Sequence, residues 1–199
     1  MSQARTGDSS PDSEDARLME RLKLGEPDAV VELCNVYFDR LYAAVFNQVE
    51  RDEDATQDIV QETFLAAIRS AGKFRGGSKI YTWLHGIANK KVADFYRQQK
   101  RKRKYESKIL NESEEFANSS DSELTTLGTE ETEKKSLAVQ EILADLPLHY
   151  RQVLMLKYVE EMPVLEISKI MSRSPKSVEG LLTRARKELQ ARLTTHNEG

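Results

Sequence analysis

Lys73 to Lys104 reads KFRGGSKIYTWLHGIANKKVADFYRQQKRKRK, and the chain is organised around it. Its basic residues are Lys73, Arg75, Lys79, Lys90, Lys91, Arg97, Lys100, Arg101, Lys102, Arg103 and Lys104. The only acid is Asp94, and Phe74, Tyr81, Trp83, Phe95 and Tyr96 are interleaved with the charge. The whole chain carries 30 Lys and Arg against 33 Asp and Glu, so positive charge is concentrated here and compensated elsewhere. A basic strip with aromatic rings suits a polyanion with stackable faces, which points to nucleic acid, unpaired bases included. A second reading is open. Lys100–Lys104 also fits a solvated helix end, and aromatics at helical spacing also fit a core, with Trp83, Leu84 and Ile87 packed on a neighbouring helix. The loop Arg75-Gly76-Gly77-Ser78 is harder to read as core. Its two glycines open backbone angles closed to other residues and let a ligand approach closely.

Working outward, the 199 residues are 39% hydrophobic and 32% charged, which suits one or two small soluble domains. No apolar run reaches membrane-spanning length, and the opening MSQARTGDSSPDSEDA has no signal-peptide pattern. One cysteine, Cys34, excludes an internal disulfide and fits a reducing cytoplasm. Its apolar setting, AVVELCNVYF, marks a packed thiol rather than a nucleophile. His85, His149 and His196 are scattered, with no Cys or carboxylate at ligand spacing. No phosphate-binding loop, dinucleotide fingerprint or nucleophile elbow is present, so neither a catalytic residue nor a metal or other cofactor is expected.

Helical periodicity covers the rest. A polar tail over residues 1–16 is expected to be disordered, followed by a first helical domain over 17–104. Within it a short helix spans Arg17–Leu24 and ends near Gly25-Glu26-Pro27. Longer ones span Asp28–Val49 and Asp54–Ala71, and a last one runs from Tyr81 to Gln99 or beyond. Residues 105–135 hold nine acids and three bases, are rich in Ser and Thr, and read as a flexible acidic linker. A second helical domain follows over 136–194. Its helices span His149–Val159, Val164–Met171 and Pro175 to about Leu193. Ser174 and Pro175 form an N-cap and first-turn pair, and Val178, Leu181, Leu182, Ala185 and Leu189 form a buried stripe.

A short helix, a tight turn and a longer helix with a basic outer face match a helix-turn-helix. Such a helix enters a major groove about 12 Å wide. Lys176, Ser177 and Glu179 would reach base edges there, and Arg184, Arg186 and Lys187 phosphates. An ordinary helical hairpin with a solvated face is the alternative.

Two DNA-binding candidates on one tethered chain suggest two separated DNA sites, one of them opened. Here the chain resembles the bacterial sigma-70 family, in its extracytoplasmic-function group. The resemblance rests on DATQDIVQETFLAAIRS (54–70), FRGGSKIYTWLHGIANKKVADFYR (74–97), LPLHYRQVLMLKYVEEM (146–162) and EISKIMSRSPKSVEGLLTRARKEL (166–189). It implies an all-α fold in which the first domain is sigma region 2 and the second is region 4. Asp54, Asp58, Gln61, Glu62, Phe64 and Leu65 match the segment that docks on the β′ clamp helices of core RNA polymerase. Phe74, Arg75, Ser78 and Lys79 match the loop that captures a flipped base of the −10 element. Tyr81 and Trp83 match the support of that pocket, and Asn89, Lys90, Asp94 and Arg97 the helix that faces −10 DNA. Arg173, Lys176, Ser177, Glu179, Thr183, Arg184, Arg186 and Lys187 fall on the −35 reader.

The implied partners are core polymerase (clamp helices and β flap), promoter DNA and an anti-sigma factor, with no small-molecule substrate. The implied role is a cytoplasmic, non-enzymatic initiation factor that selects promoters and helps melt them. A conventional helix-turn-helix regulator is the competing function. Many relatives have glycine where this chain has Ser172, and often near Glu161, and a small apolar residue at Ser168. A serine in such a turn is costlier if φ is positive.

Overall fold

The computed structural model describes residues 11–110, 142–143 and 145–197, and every element among them is helical. The expected linker from 111 onward lies outside the described residues. Helix α1 (Pro11–Lys23) is followed by α2 (Pro27–Phe46), α3 (Glu53–Ser70) and α4 (Ile80–Leu110). The second half holds α5 (Leu148–Leu154), which widens into a π-type turn over Met155–Val159, then α6 (Val164–Ile170) and α7 (Pro175–Asn197). No helix among the described residues is long and apolar enough to cross a membrane.

Local chemistry sets the boundaries. Gly25 has φ +75°, and Glu26 N–H donates back to the Arg21 carbonyl, which closes the end of α1. Pro27 then opens α2, where its missing N–H costs nothing. Asp52 caps α3 by accepting from Ala55 N–H at 2.9 Å. Ser174 does the same for α7, accepting from Ser177 N–H at 3.2 Å with Pro175 behind it.

Two cores result. The first joins Leu18 and Leu22 of α1, Leu33 and Leu41 of α2, Ile59 and Phe64 of α3, and Ile80, Leu84 and Val92 of α4. The second joins Val153, Leu154, Leu156, Ile167, Ile170, Val178, Leu181, Leu182 and Ala185.

Two sequence expectations need correction. Helix begins at Pro11, inside the stretch 1–16 expected to be disordered, because Leu18, Met19 and Leu22 are buried and Asp15 is tied to two other helices. Helix α4 continues to Leu110, past the linker boundary at 105. Its Lys, Arg and Gln are good helix formers, and no Gly or Pro interrupts them. The two halves also pack directly on each other, an arrangement the sequence does not address. Tyr81 of α4 belongs to the second core, and Leu148 of α5 packs against the first.

Ser172 and Glu161 both stand in the left-handed region, each with φ +52°. That conformation costs a non-glycine residue about 1–2 kcal/mol. Glycine loses about 0.5–1 kcal/mol more chain entropy on folding, which offsets part of the relief. Ser172→Gly and Glu161→Gly are therefore each expected to raise stability slightly, by about 0.5–1 kcal/mol. Thermal melting checks this; a lowered midpoint would show that the side chains supply contacts worth more than the strain.

Candidate nucleic-acid interface

The loop after α3 is launched by a single 3-10 turn, Ala71–Lys73, and Phe74 N–H donates to the Ala71 carbonyl at 3.0 Å. Phe74 then turns inward and packs on Trp83, with ring centres 5.1 Å apart. Both rings are partly buried against the first core. Gly76 takes φ +73°, and a Cβ at Gly76 or Gly77 would meet open space. Glycine is thus required here by backbone angle, not by crowding. Arg75 and Lys79 are exposed and Ser78 half-buried. The loop is a short, open, cationic strap with an aromatic floor.

The far end of the strap is anchored by a residue that sequence reasoning missed. Asp15 accepts from Ile80 N–H at 3.0 Å, taking a free donor at the start of α4, and also from the Tyr37 hydroxyl. Burial, and then the bond to Asp15, push the Tyr37 phenol well above its ordinary range. The signal was there in principle: an acid three and four residues before the buried pair Leu18 and Met19. Read as part of a polar tail, it had no visible partner.

Along α4, Lys90, Asp94 and Arg97 are exposed, and Asp94 pairs with Arg97 at 2.7 Å. Asn89 and Tyr81 are not exposed, at 9% and 5%. They lie on a second stripe of α4 with Thr82, His85 and Gly86, and this stripe meets the second half. Tyr81 O–H donates to Glu160 at 2.7 Å, and Arg40 of α2 lies over its ring at 3.7 Å. Burial first, then the bond to Glu160, raise the Tyr81 phenol far above its usual range. Thr82 donates to Glu166 of α6 at 3.0 Å, and Lys169 donates to the Gly77 carbonyl.

His85 is fully buried, edge-on to Tyr81, and neither ring nitrogen has a hydrogen-bond partner. Burial pushes its pKa below 6.5, opposed by Glu160 and reinforced by Arg40. Its lowered pKa makes the neutral form the one the seam accepts. Its contribution to stability is therefore complete above about pH 6.5 and is lost progressively as pH falls below that value. We expect the melting midpoint to drop from pH 7.5 to 5.5 more in the native chain than in His85→Leu. Equal slopes would remove His85 from the account.

The outer side of α3 presents Asp54, Asp58, Gln61, Glu62 and Leu65 as one exposed stripe. Glu62 meets Lys91 of α4 in an exposed ion pair. Phe64, counted in the docking segment by the resemblance but inward by helical spacing, lies in the core at 6% exposure and stacks on Phe38 at 6.3 Å. Phe38 itself is 42% exposed. It extends the acidic stripe with an apolar patch on α2 that the periodicity reading did not single out.

Lys176, Glu179, Thr183, Arg184, Arg186 and Lys187 of α7 are all exposed, as is Arg173 in the turn before it, and Ser177 is half-buried. The opposite side, Val178, Leu181, Leu182 and Ala185, is buried as expected, with Leu189 packed against it. His149 lies near this surface. Burial, then the charges of Arg173 and Arg184, hold its pKa below normal. Cys34 is half-buried and its thiol is pushed up by burial, which leaves it a poor nucleophile.

Residues 35–102 match the family described as Sigma-70 region 2, and residues 136–189 match Sigma-70, region 4. The chain is 29% identical to the RNA polymerase sigma factor YlaC of Bacillus subtilis (strain 168), over 86% of this chain and 95% of that one. It is 27% identical to the ECF RNA polymerase sigma factor SigW of the same organism, covering 88% and 94%. The ECF RNA polymerase sigma-E factor of Haemophilus influenzae is also 27% identical, over 90% and 95%. In fold the chain is similar to CnrH, solved in complex with the cytosolic domain of CnrY (TM-score 0.64, 24% identity, 91% and 97% covered). It is similar as well to the sigma factor RpoE of Bartonella quintana, solved with the anti-sigma factor NepR (TM-score 0.56, 20% identity, 82% and 95% covered).

Proposed function

Because the chain belongs to the sigma-70 family, as an extracytoplasmic-function sigma factor that directs RNA polymerase to promoters, we propose the following division of labour among its surfaces. The acidic stripe Asp54, Asp58, Gln61, Glu62 and Leu65 docks on the β′ clamp helices, with Phe64 setting its shape from beneath. The loop Phe74–Lys79 receives an unpaired −10 base above the Phe74 and Trp83 floor. Lys90, Asp94 and Arg97, with Asn89 and Tyr81 once uncovered, follow the melted strand. The exposed basic side of α7 reads the −35 element, and the rest of the second domain meets the β flap.

The observation that carries this reading is the joint presence, in order, of the acidic stripe, the open cationic strap and the capped basic helix. Each has a separate physical task. Extruding a base costs a few kcal/mol in lost pairing and stacking, and a receiving pocket offsets it. Each base stacked on an aromatic ring contributes about 1–3 kcal/mol. Polymerase supplies the bond-making chemistry, so the factor needs no catalytic group of its own. It works in the cytoplasm, where the polymerase is. One protein of similar fold, RpoE of Bartonella quintana, has been solved with the anti-sigma factor NepR, and an antagonist of that kind is proposed for this chain.

The test is co-elution of the chain with core RNA polymerase, followed by binding of the complex to single-stranded −10 DNA. A stable complex that retains single-stranded DNA supports the reading. Duplex binding by the chain without any affinity for core polymerase would favour the conventional regulator.

A further inference from the structure

The open strap between α3 and α4 has a shape to keep. Gly76 and Gly77 lose more conformational freedom on ordering than other residues, so a loop that ordered itself only when a base arrived would bind weakly. Both ends of the strap instead rest on α1, which lies outside the matched residues 35–102. At the near end, α1 packs on the 3-10 turn Ala71–Lys73, and Ala71 shares the first core with Leu18, Met19 and Leu22. At the far end, Asp15 holds Ile80, the first residue after the strap, by its N–H.

Asp15 supplies a helix cap from a distance. The Lys79 carbonyl accepts from Trp83 N–H at 3.1 Å, which puts Lys79 at the cap position of α4. A lysine side chain cannot cap. Its ammonium has no acceptor, and its charge is unfavourable at the positive end of a helix dipole. Asp15 brings the missing carboxylate from α1. One oxygen accepts from Ile80 N–H at 3.0 Å and the other from the Tyr37 hydroxyl. Donors on two other helices, and the burial of Leu18 and Met19 on its own, give the carboxylate a fixed place. Lys79 meanwhile stays exposed at the end of the strap, beside half-buried Ser78. A Ser or Asp cap at position 79 would serve the helix as well, but would take the cation out of the loop.

We propose that Asp15 is a positioning residue for the base-receiving loop: by capping α4 from α1, it holds Ser78 and Lys79 ready before an unpaired base arrives. It acts through Ile80 and not by contact with DNA. The proposal rests on the assignment of the strap to −10 DNA and adds the residue that sets its shape.

The experiment uses holoenzyme assembled from the full chain and core RNA polymerase. The probe is a fluorescein-labelled non-template −10 single strand, taken from a start site mapped with the native chain. One abasic site is placed at each position in turn, and anisotropy gives the affinities. The native chain is expected to show one position at which base removal costs at least about tenfold. Asp15→Ala is expected to bind the intact strand about tenfold more weakly, yet to bind the strand lacking that base as the native chain does. This follows if the loop then holds its receptive shape about a tenth of the time. Asp15→Asn keeps an acceptor oxygen for Ile80 N–H but not the charge, and is expected to lose about threefold on the intact strand. Affinity for core polymerase is expected to be unchanged in both; its loss would make Asp15 a residue of the fold alone and overturn the proposal. Equal losses on every strand would overturn it too. So would a native contrast between strands in Asp15→Asn, or in Asp15→Ala; where Asp15→Ala does not fold, Asp15→Asn decides. If the native chain shows no such position, the base-receiving assignment itself is overturned.

Discussion

Reversing Asp58 and Glu62 together to Arg is expected to weaken binding to core RNA polymerase by about 100-fold or more, with little effect on folding. Both carboxylates stand one turn apart on the exposed stripe of α3, and Glu62 shares only a surface ion pair with Lys91. Exposed pairs of that kind contribute about 0–1 kcal/mol, so its loss alone is minor. The α3 stripe is acidic, and the proposed docking partner must be complementary to it. Placing two cations there turns attraction into like-charge repulsion, at a cost of several kcal/mol. Each 1.4 kcal/mol is about tenfold in affinity, so two reversals readily exceed two decades. A titration of labelled chain with core polymerase, beside a melting curve, measures both quantities. An affinity within about threefold of the native chain, with the fold intact, would remove the α3 stripe from the polymerase interface.

The second large effect is expected on α7, where two neighbouring cations should fail in different ways. Lys176 is in the first turn after the Ser174 cap, the part of a recognition helix that meets base edges. Lys176→Ala is expected to cost about 1–3 kcal/mol on the preferred −35 sequence and to relax the choice at one base pair. Lys187, three turns further on, is placed to hold phosphate. Lys187→Ala should weaken all sequences alike and reduce the salt slope of binding by about one. Competition among duplexes substituted singly through the −35 box, run with holoenzyme at several salt concentrations, separates the two. Identical behaviour of the two variants would mean that α7 does not read bases through its first turn.

These effects were legible because their residues announce themselves locally. Ser174 and Pro175 mark a helix start, and Val178, Leu181, Leu182 and Ala185 mark its inner side, so the outer cations of α7 follow by subtraction. The same holds for α3, whose acids alternate with Ile59 and Ala67. The strap was legible through Gly76 and Gly77, although only Gly76 uses a positive φ.

The seam was not legible, for a physical reason. Helix α4 buries two stripes, and its periodicity, carried by Trp83, Ile87, Val92 and Phe95, reveals only the one that faces the first core. The other, Tyr81, Thr82, His85, Gly86 and Asn89, looks like a solvated or DNA-facing side because its residues are small or polar. Its partners, Glu160 and Glu166, lie 79 and 84 residues away. No local pattern encodes a pairing at that distance. Asp15 was missed on the same ground, since it reaches across 65 residues to Ile80. Phe64 was legible as an inward residue from its helical spacing, and only the resemblance counted it in the docking segment; its ring completes the core against Phe38. Ser172 and Glu161 are the reverse case. The comparison with glycine in relatives marked them as candidate strained positions, and both have φ +52°.

The central claim is that this chain confers promoter selectivity on RNA polymerase through two separated DNA contacts. The most direct measurement reconstitutes it with core polymerase on fragmented genomic DNA of its source organism and maps the 5′ ends of the transcripts. The account predicts discrete new start sites, absent with core polymerase alone, each preceded by two recurring boxes at a fixed separation. If no such sites appeared while the second half still bound duplex DNA, the result would contradict the claim, and a conventional helix-turn-helix regulator would be the better description.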